Sequence, residues 1–168
     1  LGIKSVIPDM DPTKPARVNP KKIIEAIENQ GVTSMFASPA LLNRVGKYGK
    51  QKRIKLPSLK RVISAGAPVS PSVIEQFSFM LCDDAEIHTP YGATEAVPVI
   101  SISSNEILSE TRKLSEQGYG ICIGRPINDL DIRIIKISDA PINKWSNDLV
   151  VEDNEIGEIT VKGDLVTR

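Results

Sequence analysis

The 168-residue chain has one histidine, two cysteines and one tryptophan, and aromatic residues are 4% of it. Each scarcity closes a class of function. Cys82 and Cys122 stand far apart with no CxxC pair, and His88 is the lone imidazole. Neither a disulfide framework nor a structural zinc site is expected, and the thiol usage fits a reducing, cytoplasmic setting. No apolar run approaches the ~20 residues that cross a bilayer, and the opening residues do not read as a signal peptide. No aromatic ladder or known binding motif accompanies the basic residues, so nucleic acid is not an expected partner. Net charge is missing as well, since 21 basic and 21 acidic residues cancel. The remaining composition, 40% hydrophobic and 25% charged, is that of a globular protein with enough length for one substantial core.

The cancelled charge hides a gradient. Residues 1–61 carry 13 basic and 4 acidic residues, and residues 62–168 carry 8 and 17. Eight basic residues lie between Arg44 and Arg61 without one acid. This run reads as a solvated helix end and loop, with a surface for a phosphate-bearing partner as the sharper alternative.

The first half alternates strand-like and helix-like segments. "IKSVIP" reads as a short strand. "NPKKIIEAIENQG" reads as a helix with Asn19 as N-cap, Pro20 in the first turn and Gly31 as the stop. "VTSMFAS" is a second strand, and Pro39 opens a second helix. "LKRVISAG" is a third strand, followed by a helix that Ser70 caps and Pro71 opens, with Val73, Ile74, Phe77 and Met80 on one face. "AEIHT" is a fourth strand. Strands alternating with helices predict parallel pairing with right-handed crossovers. Later, "VPVISIS" is strand-like, "NEILSETRKLSEQG" is helical to Gly118, and "LDIRIIKIS" and "GEITVKG" alternate as strands. The phase slip at Ile134–Ile135 suggests a bulge or two-sided burial. The expected fold is therefore α/β: a mostly parallel sheet with flanking helices over 1–118, followed by a smaller β-rich portion over 119–168.

Ligands of open parallel sheets bind beyond the carboxyl ends of the strands. Two loops leave such ends, "SAGAPVS" and "HTPYGATE". Gly66 and Ala67 expose backbone at a narrow place suited to a planar ring, and Tyr91 offers an opposing aromatic face. Gly92 permits close backbone approach. Thr94 carries a hydroxyl able to donate to a phosphate oxygen, and Glu95 carries hard oxygens of the kind magnesium prefers. Each has a plainer reading: Gly-Ala-Pro as a turn, Tyr-Gly as a strand terminator, Thr-Glu as a helix cap, His88 as a locally packed or hydrogen-bonded side chain.

Order and spacing favour the joint reading. "SAGAPV", "YGATE", "GRP" and "GEITVKG", in that order, resemble the adenylate-forming superfamily of acyl-CoA synthetases, aryl-CoA ligases, luciferases and peptide-synthetase adenylation domains. The resemblance implies that Gly66, Ala67 and Pro68 line one side of an adenine and Tyr91 the other, within the run Thr89, Pro90, Tyr91, Gly92, Ala93. It implies that Thr94 holds the α-phosphate and Glu95 binds the metal. Thr89 stands where relatives often have Asn, Asp or Gln. "VTSMFASPALLNRV" is similar to the segment shaping the acyl pocket, which points to Phe36, Ala37 and Ser38. Within the superfamily, "VIPDMDPTKPARVNPKKIIEAI" and "HTPYGATEAVPV" resemble the β-lactone synthetases of long-chain olefin biosynthesis. The implied activity is ATP- and Mg²⁺-dependent adenylation of a fatty or 3-hydroxy fatty acid, followed by a β-lactone or, with CoA or a carrier protein, a thioester. The alternative is a noncatalytic α/β module that binds a nucleotide or a protein. The resemblance also implies a longer parent, whose phosphate loop, ribose-binding aspartate and catalytic lysine lie outside these residues, so that this length of chain alone does not adenylate.

Overall fold

A computed structural model describes residues 2–127 and 130–167. Leu1 and Arg168, at the outer limits of the two expected portions, lie outside the described residues. The elements that position the site are α1 (Pro20–Gln30), β1 (Ser34–Ala37), α2 (Pro39–Lys52), β2 (Arg61–Ser64), α3 (Pro71–Ser78), β3 (Glu86–Ala93) and β4 (Ala96–Ser103). They are followed by α4 (Ser104–Glu106), a π turn (Ile107–Thr111), α5 (Arg112–Glu116), β5 (Arg125–Pro126), β6 (Asp131–Ile135) and β7 (Glu158–Lys162).

The helix limits follow from local chemistry. The Asn19 side chain accepts from the Lys21 N–H, Pro20 opens α1 where its missing N–H costs nothing, and Gly31 closes it at φ 59°. Ser38 caps α2 by accepting from the Leu41 N–H, and this helix runs on through the first part of the basic stretch. Ser70 stands at the head of α3 as expected but makes no side-chain cap bond, because its hydroxyl is engaged with that of Ser72 at 3.0 Å.

Strands β1 to β5 form one sheet in chain order. β1, β2 and β3 are parallel, whereas β4 and β5 are antiparallel additions. β6 and β7 pair as a separate antiparallel two-stranded sheet. Alternation along the strands sorts side chains to two faces. Val62, Ile87, Ala37, Ser64 and Ile102 are buried, and the apolar ones join Leu42, Val45, Ile74, Phe77 and Met80 in a single core under the helices. Gly46 and Gly49 let α2 and α3 close up: a β-carbon on Gly46 would sit 3.1 Å from the Phe77 nitrogen, and one on Gly49 would sit 2.1 Å from the Met80 sulfur. Phe77 is wholly buried at this contact. Phe77→Ala is expected to destabilise the protein by about 3–5 kcal/mol, read from the denaturant midpoint.

Three expectations are corrected. "IKSVIP" forms no strand: Ile3 and Ile7 are 75% and 90% exposed, and no described strand pairs with the segment. Of the two readings of the Ile134–Ile135 phase slip, the bulge fails because pairing with β7 is unbroken through Ile135↔Glu158, and burial on both faces remains: Ile132 packs on one side and Ile135 is buried on the other, where its strand end bridges to Val150. "YGATE" is not a loop leaving a strand or opening a helix. β3 continues through Tyr91, Gly92 and Ala93, Ala93 pairs with Ala96, and Thr94 and Glu95 form the tip of a β-hairpin.

Candidate functional site: two cavities at one strand end

β3 carries Pro90 because pairing with β2 ends at His88, leaving β4 as the sole neighbour beyond that point. A proline there deprives no ladder of a donor. Opposite Gly92 the register slips: Tyr91 pairs with Ile100 and Ala93 with Ala96, so β4 bulges over residues 97–99. The bulge turns Val97 outward to 56% exposure. Gly92 is required by this geometry, since a β-carbon would lie 2.5 Å from the Ala96 carbonyl oxygen.

The loop after β2 and the end of β3 enclose a cavity of about 310 Å³. Gly66, Ala67 and Pro68 line one side, Thr89, Pro90, Tyr91 and Gly92 another. Gly66 adopts φ 93°, which the turn after β2 needs. Seven of the residues singled out in the sequence thus meet around one space. Tyr91 is 42% exposed, leaving its ring accessible.

Ser64, which the sequence reading passed over, also lines this cavity. Its hydroxyl is fully buried and has no hydrogen-bond partner. An orphaned buried hydroxyl costs free energy unless something answers it, so it marks a place for a polar ligand group. The signal was present in the strand pattern, where Ser64 falls on the apolar inward face of "RVIS". Ser64→Ala is expected to leave stability unchanged or slightly higher, because it removes a buried hydroxyl that has no partner, and thermal melting of the variant checks this.

On the opposite face of the sheet lies an open groove of about 570 Å³, lined by Phe36, Ile63, Ala65, His88, Pro90 and Val97 among others. Ala65, Pro90 and Val97 also line the first cavity, so the two spaces share a wall. Phe36 is 71% exposed toward the groove. Ala37 and Ser38 are placed elsewhere: with Phe36 they border a separate apolar cavity of about 410 Å³ beneath α1. Ala93, Thr94 and Glu95 stand exposed at the hairpin, outside the linings of both shared-wall cavities. The tip is pinned from a distance, because the Glu95 carbonyl oxygen accepts both the Thr167 N–H at 2.7 Å and the Thr167 hydroxyl at 3.0 Å.

No group of three or more metal-ligating side chains occurs among the described residues. Glu95 sets one exposed carboxylate at the hairpin tip, the hard-oxygen kind of ligand that magnesium takes alongside phosphate oxygens. Among the described residues no helix is long and apolar enough to cross a membrane. Much of the basic run lies on the exposed side of α2 and the loop after it. Part of it is used internally: Lys60 pairs with Asp84 at 2.9 Å, and Lys55 donates to the Phe79 carbonyl and lies over its ring.

The chain is 46% identical over 167 residues to the olefin beta-lactone synthetase of Stenotrophomonas maltophilia, covering 99% of this chain and 29% of that protein. It superposes on an amide bond synthetase from Marinactinospora thermotolerans with a TM-score of 0.67 at 22% identity, covering 89% of this chain and 26% of the other. It also superposes on the o-succinylbenzoate coenzyme A synthetase of Bacillus subtilis in complex with ATP and magnesium ion, with a TM-score of 0.61 at 21% identity, covering 90% and 27%. These structural likenesses show the fold. The model of the AMP-binding enzyme family matches residues 1–168, and the chain belongs to that family.

Proposed function

We propose that this chain is the part of an ATP-dependent, AMP-forming acid ligase that holds the nucleotide and the acid side by side. The observation that carries the reading is the shared wall. A cavity with an exposed aromatic ring and an unanswered hydroxyl backs onto an apolar groove through Ala65, Pro90 and Val97. Adenine would lie between Tyr91 and the Gly66–Ala67–Pro68 backbone, with Thr89 and Ser64 at its edge. The acid's chain would run along Phe36, Ile63 and Val97, with its carboxylate emerging near Gly92 and the hairpin tip. Ala37 and Ser38 would support Phe36 from behind rather than touch the acid.

In that arrangement the chain's own residues mainly position and neutralise. The groove's apolar side chains contact the acid's tail, the shared wall aims the carboxylate at the α-phosphorus, and Thr94 donates to an α-phosphate oxygen. Pyrophosphate leaves and the acyl-adenylate forms. Magnesium, when bound at Glu95, neutralises charge on the phosphates as it shifts to the leaving group. β5, from the 119–168 portion, completes the sheet that carries the site, which supports reading the 1–118 and 119–168 portions as parts of one catalytic domain.

The preferred acid is proposed to be a 3-hydroxy fatty acid that closes to a β-lactone without CoA. Support comes from the 46% identity to an olefin beta-lactone synthetase and from the apolar groove. The test is incubation of the intact protein with ATP, Mg²⁺ and candidate acids, following pyrophosphate and products by mass. Acid-dependent pyrophosphate release supports the reading; thioester formed readily with CoA and no lactone would replace the product by an acyl-CoA.

A further inference from the structure

We propose that Cys122 is a modification site inside the first cavity, where a small disulfide forms a mixed disulfide that shuts the nucleotide out; this rests on the nucleotide reading above. The thiol lies in the stretch 118–124, "GYGICIG", between α5 and β5. Residues 120–124 belong to no helix or strand, yet the downstream end of the stretch is held fast. A β-carbon on Gly124 would lie 2.1 Å from the Ser101 carbonyl oxygen, so the backbone there presses directly on β4. Ile123 packs against the cluster of Ala96, Val99 and Ile100. Ile121, Cys122 and Ile123 are thereby carried along the wall of the first cavity.

Cys122 is a free, exposed cysteine, whereas Cys82 is half-buried and lies outside the linings of both shared-wall cavities. A second, independent observation marks the same space as one that takes a ligand. Ser64 lines it too, and its hydroxyl is fully buried without a partner, a state that a polar molecule entering the cavity relieves. The thiol and the hydroxyl thus border one volume of about 310 Å³. A peptide-sized group attached at Cys122 competes for that volume with a nucleotide base held against Tyr91. The described lining holds no carboxylate, imidazole or amine, so the thiol has no base to make it a catalytic nucleophile and no companion ligand for a metal ion. What remains is the thiol's own chemistry, and exchange with a disulfide needs only access and the thiolate form.

In the step, Cys122 gives its proton to water and the thiolate sulfur attacks one sulfur of the incoming disulfide. The bond between that sulfur and its partner breaks as the bond to Cys122 forms. The departing half leaves as a thiolate and takes up a proton. A dithiol reverses the change: it reduces the mixed disulfide and is itself oxidised. Bound nucleotide and bound adduct exclude each other, so the nucleotide shields the thiol and the adduct blocks the nucleotide.

The test uses the intact protein with glutathione disulfide as the probe, mapping adducts by peptide mass and titrating ATP–Mg²⁺ before and after treatment. An adduct is expected on Cys122. ATP–Mg²⁺ at about ten times its dissociation constant should slow its formation about tenfold, since only the empty cavity reacts, while any labelling of Cys82 keeps its rate. The treated protein is expected to bind ATP at least about tenfold more weakly and to recover with dithiothreitol. In Cys122→Ser, affinity before and after treatment should be the same. No adduct on Cys122, or an adduct that ATP does not slow, would overturn the assignment. Untreated protein that binds ATP, with an adduct on Cys122 that leaves this binding unchanged, would overturn it while the nucleotide reading stands. Untreated protein that binds no ATP would refute the nucleotide reading and this inference with it.

Discussion

Glu95→Gln in the intact protein is expected to lower acid-dependent pyrophosphate release by about a hundredfold or more, the scale for losing one preorganised electrostatic contact. Its melting temperature should stay where it was. Gln keeps the shape of the side chain and removes the charge a magnesium ligand needs. The structural cost is small because Glu95 sits exposed at a hairpin tip, where the fold uses its backbone and not its carboxylate: Thr167 bonds to the Glu95 carbonyl oxygen. Raising magnesium should recover part of the activity. A collapsed melting temperature with normal specific activity would make Glu95 a structural residue of the hairpin.

The second large effect concerns the product. With a 3-hydroxy acid, ATP and Mg²⁺, lactone is expected without CoA, while the same acid lacking the hydroxyl should stop at the adenylate. Once the carboxyl group is activated, the hydroxyl is tethered beside the acyl carbon, and intramolecular attack carries an effective molarity that a diffusing nucleophile lacks. Ring strain opposes closure, and cleavage of the reactive acyl-phosphate bond offsets it. Under this reading, the open groove beside the shared wall would take the chain with its polar substituent near the nucleotide and its apolar tail along Phe36 and Ile63. Mass analysis of paired reactions with the hydroxylated and plain acids decides this, and thioester formed with CoA while lactone never forms would contradict it.

Much of the helical layer was legible because its limits are local. Asn19, Pro20 and Gly31 end α1 by side-chain and backbone chemistry within a few residues, and the apolar spacing of Ile23, Ile24 and Ile27 names its buried face. The first strand was not legible as absent, since "IKSVIP" has strand composition and what it lacks is a partner, a non-local property. The hairpin was missed for another reason. Thr94–Glu95 is not the Asn-Gly or Asp-Gly pair that announces a two-residue turn, and Pro90 reads as a strand end until β2 is known to stop short of it. The residues around the first cavity were legible as a set because two strand ends bring them together, whereas Ser64 was hidden as one more small residue on an inward face.

The most direct test of the site is acid-dependent exchange of labelled pyrophosphate into ATP by the intact protein. An acid-activating ligase with the nucleotide and acid in adjoining cavities predicts exchange that needs both a fatty acid and Mg²⁺ and falls in Glu95→Gln and Gly92→Ala. ATP that binds with no exchange in the presence of any acid would contradict it and leave a noncatalytic nucleotide-binding module.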